Sequence, residues 1–280
     1  QAFLRKVIPL NNGVFAFFNL AHDTLKDVKL RQVLRTAMNV EYLRQVIFNQ
    51  DGAVSNFDLP VLKNQLAGLN TIYENNLKAS QLEITMTSLG YIKKSGSWYN
   101  KKGEKLKLDI VSVKNTQYQT VAELIAKQLR QFGCEVNLRL VDLSNNDVNV
   151  AQEIFKLKNY DILVYEINLG ADPDQYGFWH SSQSNQSGLN FSNYSSKIID
   201  DLLVTARLDS DWALRTAKYN NFLKKWLEDV PAVGLFQSNL YYVKQKGVMG
   251  LNSDQLVTPN DRYAGILNWS GEETTFYKTP

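Results

Sequence analysis

Two histidines, one cysteine and six prolines in 280 residues leave little material for several kinds of chemistry. His22 and His180 stand far apart, with no Cys-x-x-Cys or His-Glu-x-x-His spacing anywhere in the chain, so no metal site is expected. The lone Cys134 has no intrachain partner, and its setting, FGCEVNLRL, reads as a small apolar residue at the entry to an alternating strand. Lack of disulfides leaves the compartment open. No apolar run approaches the roughly 20 residues that span a bilayer, and the opening QAFLRKVIPL lacks the anatomy of a signal peptide. Because Gln1 stands where an initiator methionine would, a processed product or a piece of a longer protein is expected. An excess of one charge is also missing: 31 basic and 28 acidic residues are interspersed, which does not favour nucleic acid. Phosphate-cradling Gly-rich loops and the G-x-S-x-G elbow are absent as well. No catalytic residue and no cofactor are expected.

What is present is an ordinary globular composition, 44% hydrophobic and 21% charged, long enough for one large domain or two smaller ones. FLRKVIPL and VFAFFNL read as strands joined by a hairpin at NNG. DVKLRQVLRTAM follows with helical spacing and Asp27 as its N-cap, then a short helix at about 41–48. Residues 51–76 carry Gly, Pro and Asn without periodicity and read as a long ordered loop. NLKASQLEITMTSLGY predicts a helix with Leu77, Leu82, Ile84 or Thr85 and Leu89 inward, ended by Gly90. SGSWYNKKGEKLKLDIVSV predicts a hairpin with Leu106, Leu108 and Ile110 on one face. The clearest helix, YQTVAELIAKQLRQFG, leads into the strand EVNLRLVDL, a further helix around NVAQEIFKLK and a buried strand, YDILVYEI. This β-α-β-α-β succession implies parallel pairing. Two amphipathic helices, SSKIIDDLLVTAR and DSDWALRTAKYNNFLKKWLED, the second capped by Asp209 or Ser210, precede short strands in VPAVGLFQSNLYYVKQKGVMGL and an irregular end. The expected class is α/β, one mixed sheet flanked by helices.

Weak motifs have bland explanations. DLSNNDVNVAQE places Asp142, Ser144, Asn146 and Glu153 at calcium-loop positions, but Asp147 stands where that loop needs glycine. The pair Asp200 and Asp201 lies on the polar side of a helix and reads as solvated. The stretch NLGADPDQYGFWHSSQSNQSGLN is different. It sets Asp172 and Asp174 around Pro173 and follows them with Tyr176, Phe178 and Trp179, directly after the end of a core strand. A carboxylate beside aromatic walls can grip an ammonium group while burying apolar side chains. It can equally cap a helical turn that begins at Pro173, with the aromatics in the core. Locally the two readings stay open.

The order of segments resembles the carboxy-terminal portion of the family 5 extracellular solute-binding proteins, the peptide- and nickel-binding receptors of ABC importers. The resemblance is carried by FAFFNLAHDTLKDVKLRQVLRTAMN, KASQLEITMTSLGY, VAELIAKQLRQFGCEVNLRLVD, YDILVYEINLGADPDQYGFWHSSQSNQSGLNFSNYSSKIIDDLLVTAR and DVPAVGLFQSNLYYV. It implies a type II periplasmic-binding-protein-like lobe, the third domain of a peptide receptor, with a C-terminal tail belonging to the partner lobe. On that basis residues 1–20 are hinge-side strands, 21–240 the solute-binding lobe and 241–280 a return segment toward an amino-terminal lobe not included in the chain. The implied function is to bind oligopeptides in an interlobe cleft and deliver them to a membrane permease, extracytoplasmically, with membrane contact only through an anchor outside this chain. Relatives place an acid just after the strand matching DILVYEI, where it pairs with the peptide α-ammonium; Asp172 is the matching residue and Asp174 its rival. Asn190 and Phe191 fall where relatives line the cleft, while Asn19, Leu20 and His22 fall hinge-side. With Tyr165 of the strand and Trp179 of the loop, the candidate ligand-binding set is Asp172, Asp174, Tyr165, Trp179, Asn190 and Phe191. A solute-sensing domain of a transcriptional regulator and a metal-dependent glycosyltransferase using Asp172 and Asp174 are the alternatives.

Overall fold

Phe3–Phe18 forms one unbroken strand, β1, in the computed structural model, which describes residues 3–48, 57–66, 77–142, 154, 156–250 and 256–271. The hairpin expected at NNG is instead a bulge. Pairing of β1 with the final long strand of the sheet, β7 (Ala232–Gln245), steps from Pro9 opposite Asn239 to Gly13 opposite Gln237. Leu10, Asn11 and Asn12 therefore face the single residue Ser238, an insertion that bends a strand without ending it. Gly13 is needed for close approach and not for a turn, since a Cβ there would lie 2.2 Å from the Phe57 ring. Likewise, the short strands expected near 231–250 are mostly one strand, β7, of 14 residues.

The remaining elements fall into place around these two strands. Helices α1 (Val28–Ala37) and α2 (Val40–Phe48) follow β1, and α3 (Leu82–Ser88) precedes a small antiparallel pair, β2 (Ile92–Lys94) and β3 (Ser97–Tyr99). Next come β4 (Lys107–Val113), α4 (Thr116–Phe132), β5 (Glu135–Val141) and β6 (Ile162–Asn168). The short α5 (Tyr176–Trp179), α6 (Lys197–Leu208) and α7 (Trp212–Asp229) lead into β7. The five-stranded sheet runs β5-β4-β6-β1-β7, with β4 parallel to both β5 and β6, and β1 antiparallel to β6 and β7. The expected mixed α/β sheet is thus present, including the parallel β4, β5 and β6.

Strand alternation divides the core. Val14, Ala16 and Phe18 of β1 point into one layer with Leu30 and Leu34 of α1 and Val121, Ile125 and Leu129 of α4. Phe15 and Phe17 point into the other, with Leu203 of α6 and Phe222 and Trp226 of α7. Both faces of the sheet are covered, so its strands read as nearly continuous apolar runs.

Local signals fared unevenly. Asp27 caps α1 by accepting from Lys29 N at 2.8 Å, and α4 stops at Gly133 with φ 116°. On α3 the inward pair is Leu82 and Met86, one helical turn apart, whereas Ile84 is 71% exposed. The cap of α7 is Asp211, which accepts from Ala213 N and Leu214 N, because Asp209 is drawn to Lys218 at 2.8 Å. Leu106, Leu108 and Ile110 are buried as expected, but the local hairpin is β2–β3, and β4 joins the main sheet. The helix expected around 149–158 lies largely outside the described residues, as do calcium-loop positions 143–153 and residues 51–56 and 67–76 of the long loop.

Candidate functional site

Adjacent parallel strands whose connections leave for opposite faces open a crevice at their carboxyl ends. β4 and β6 are such a pair: the chain leaves β4 for α4 in the first layer and leaves β6 for α5, α6 and α7 in the second. Because β1 runs antiparallel, its bulge lies at this same edge, with Asn12 opposite Asn168 and Gly13 opposite Ile167. Four segments therefore converge here: the bulge, the start of α4, the end of β6 and the crossover 169–175.

On the first-layer face the convergence is polar. Glu166 sits two residues beyond the core residue Val164 and is half-buried. Asn12 Nδ2 donates to its Oε1 at 3.0 Å, Ser238 Oγ donates to its Oε2, and the Tyr118 hydroxyl of α4 also bonds it. Burial, and then the charge of Glu166, push the Tyr118 phenol upward, so it stays a protonated donor. Among the described residues Glu166 has no ion-pair partner; all three groups that bond it are neutral. Asn12 Oδ1 is buried with no hydrogen-bond partner. The bulge itself is well held: Gln237 Nε2 reaches Leu10 O at 2.7 Å, Asn11 Nδ2 reaches Gly170 O at 2.7 Å, and Leu169 N donates to Asn11 O at 2.7 Å.

On the opposite face lie the residues the sequence singled out. Asp172 is gripped by Arg215 of α7 through two bonds, Nη1 to Oδ2 at 2.8 Å and Nη2 to Oδ1 at 2.6 Å. This pairing holds its carboxyl below the usual range. Its Oδ1 also accepts from Asp174 N at 2.9 Å, the capping role weighed from sequence. Asp174 pairs with Arg207 at 2.8 Å and accepts from Tyr176 N. Trp179 is fully buried, with its ring 5.7 Å from Phe17 and 5.3 Å from Trp226. Asn190, also fully buried, donates to His180 O and Tyr194 O and accepts from Tyr194 N, which ties the loop together. Phe191 packs edge-on against Phe17 at 5.3 Å and against Tyr165 at 5.8 Å. Tyr165 is half-buried at the crevice end of β6. Asp172, Asp174 and Tyr165 thus reach the edge, whereas the side chains of Trp179, Asn190 and Phe191 are committed inside the lobe.

Several organising residues escaped the sequence reading. Buried Gln65 donates to Leu169 O and Gly170 O, both at 3.0 Å, and so fixes the crossover backbone. Lys158 lies buried with its ammonium on Ser184 O, Asn190 O and Asn193 Oδ1, and burial lowers it to about 8. Asp200 is not simply solvated: it caps the turn after α5 by accepting from Ser181 N and Oγ. Asn19 is held by Lys158 O and Tyr160 O at the opposite end of β1, away from the crevice. Glu166 had one legible signal, a lone charge in the apolar run ILVYEI. Among the described residues no cluster of three or more metal-ligating side chains forms, and no helix is long and apolar enough to cross a membrane.

Comparison with known proteins places this architecture. Residues 3–188 match the family model described as bacterial extracellular solute-binding proteins, family 5 middle. The oligopeptide-binding protein AppA of Bacillus subtilis (strain 168) is 26% identical over 242 residues, 85% of this chain and 43% of that protein. The solved structure of AppA with a nonapeptide superposes with a TM-score of 0.78 at 22% identity, covering 97% of this chain and 52% of that one. NikZ from Campylobacter jejuni, in complex with Ni(L-His), gives 0.78 at 21% identity, covering 96% and 53%. The chain therefore spans about half the length of the relatives it matches.

Proposed function

Since the chain belongs to the bacterial extracellular solute-binding proteins of family 5, whose members here are binding proteins and not enzymes, we propose that it is one lobe of an oligopeptide receptor serving an ABC importer. In this proposal the carboxyl edge of the sheet forms one wall of the ligand cleft, an amino-terminal lobe supplies the other, and closure of the two delivers cargo to a membrane permease outside the cytoplasm. The observation that carries it is the crevice between β4 and β6, where polar side chains from four chain segments meet at a topological switch point. Peptide is favoured as cargo by the backbone-binding chemistry of that edge. Amides from Asn12 and Asn168 and hydroxyls from Tyr165 and Tyr118 suit main-chain groups of varied sequence. Asp172 and Asp174, pinned by their arginines, shape the rim, while Trp179, Asn190 and Phe191 support the crossover from behind.

The test uses the complete protein and a mixed peptide pool. Thermal unfolding should shift upward with peptide, and native mass spectrometry should reveal a ladder of retained peptide masses. A shift produced by nickel with histidine, and none by peptide, would assign a metal chelate as cargo and overturn the peptide reading.

A further inference from the structure

We infer that the outer face of the β2–β3 hairpin is a docking surface for an anionic lipid bilayer. Ile92–Lys107 carries six lysines and one acid in a chain whose formal net charge is +3, so the remainder is net acidic and the positive charge is concentrated here. The segment leads into β4 at its amino end, which is the end of the sheet opposite the crevice. Its inner face fastens it to the lobe. Trp98 and Leu106 are buried, Trp98 Nε1 donates to Phe132 O at 2.9 Å and Trp98 N to Gly133 O at 3.0 Å, while Lys93 lies over the indole and pairs with Glu83 at 2.6 Å. A tight turn at Ser95 and Gly96, with φ 47° and 81°, joins the two strands.

Strand alternation then decides what faces outward. Ile92 pairs with Tyr99, and Tyr99 with Lys105, so these three share the face opposite Trp98 and Lys93. Lys94 is two residues from Ile92 on that face, and Lys107 two from Lys105. Lys105 and Lys107 share Glu135, at 3.7 and 3.1 Å, and Glu104 accepts from Asn100. Among the described residues Lys94 and the turn residues Lys101 and Lys102 are exposed and in no ion pair. Lys102 is within electrostatic reach of Asp23, but that carboxylate is held by Lys26 at 2.6 Å. The face therefore has an apolar centre, Ile92 at 56% exposure beside half-buried Tyr99, flanked by lysines. That combination suits a bilayer surface, where Ile92 and the Tyr99 ring enter the headgroup layer and the ammonium groups meet lipid phosphates. A soluble polyanion would use the lysines and leave Ile92 in water. Held by this end, the lobe keeps its crevice turned away from the lipid, and because salt screens such contacts the hold is reversible.

The experiment floats the complete protein with vesicles of equal parts phosphatidylglycerol and phosphatidylcholine, and with vesicles of phosphatidylcholine alone. Wild type should float with the anionic vesicles at low salt and not with the neutral ones, and should be released at about 1 M salt, where the Debye length is about 3 Å. The triple variant Lys94→Gln, Lys101→Gln, Lys102→Gln should lower partition about tenfold or more, and Ile92→Ser severalfold, both with the Tm of wild type. A second triple variant, Lys127→Gln, Lys197→Gln, Lys224→Gln, removes as much charge from exposed helix positions and should change little. No flotation of wild type, undiminished flotation of the hairpin triple variant, or an equal loss in the second triple variant would overturn the surface. Undiminished flotation of Ile92→Ser would overturn the bilayer as partner and assign the lysines to a soluble polyanion. None of these outcomes touches the peptide reading, which the inference does not use.

Discussion

The two faces of the sheet end differently at its carboxyl edge. On the second-layer face the acidic crossover is tied down: Asp172 and Asp174 each have a guanidinium, the Leu169, Gly170 and Asn190 carbonyls have donors, and Trp179 is packed inside, while the Gln175 side chain and Trp179 Nε1 lie buried without hydrogen-bond partners. On the first-layer face the bulged edge leaves a carboxylate without a cation and an amide oxygen without a donor. The acids and rings that stand out in the sequence have partners within the lobe, whereas Glu166 in a core strand is held by neutral donors alone. Groups that bind tend to be those the fold has oriented but not satisfied, since satisfaction within the lobe leaves nothing for a ligand.

Substitutions can break or sharpen this contrast. The largest effect is expected from Trp179→Ala, which empties a fully buried indole site between Phe17 and Trp226 and should cost about 3–5 kcal/mol in chemical denaturation. A cost below about 1 kcal/mol would mean that the crossover is not the packed support described. Lys158 comes next. Its folded-state value, lowered to about 8 by burial, means that above this pH the unfolded chain holds a proton that the folded chain has shed. Its contribution to stability therefore rises with pH from about 8 toward 10, by up to about 1.4 kcal/mol per unit, and Lys158→Met should flatten that part of the profile.

Asp172→Asn should cost about 1 kcal/mol or less, because the Arg215 pair is 54% exposed on the carboxylate side. The depressed carboxyl contributes stability above its unfolded value and loses it as pH falls through the folded one, so the variant should lack that part of the acid transition. Last, Glu166→Gln breaks no ion pair but leaves one acceptor oxygen for the three donors on the carboxylate, so it should alter the stability of the unliganded protein by about 1 kcal/mol or less. If it destabilised the protein more than Asp172→Asn did, the roles assigned to the two faces would be reversed.

Much of the fold was legible. The spacing of Val121, Leu124, Ile125 and Leu129, the Asp27 cap and the Gly133 stop each depend on groups within one or two turns of each other, so local chemistry decides them. The misreadings share a cause. NNG looks like a turn because Asn and Gly permit one, yet the apolar residues Val14 to Phe18 gain more by lying between β6 and β7 with the strand continuing through a bulge. Ile84 and the cap of α7 were misplaced because competing partners, such as Lys218 for Asp209, come from elsewhere in the chain. Of the candidate site, the acids and rings of the crossover 169–180 were legible, but their arginines lie on α6 and α7, and no spacing rule links Asp172 to Arg215.

By itself the sequence determined which segments are helix and strand, which face of each is apolar, and hence a mixed sheet covered on both sides. Only the tertiary structure decided which polar groups are satisfied. Glu166 meets Asn12 across 154 residues and Ser238 across 72, and those meetings are set by strand register and by a bulge. Register is a cooperative property of three paired strands, and no single segment encodes it.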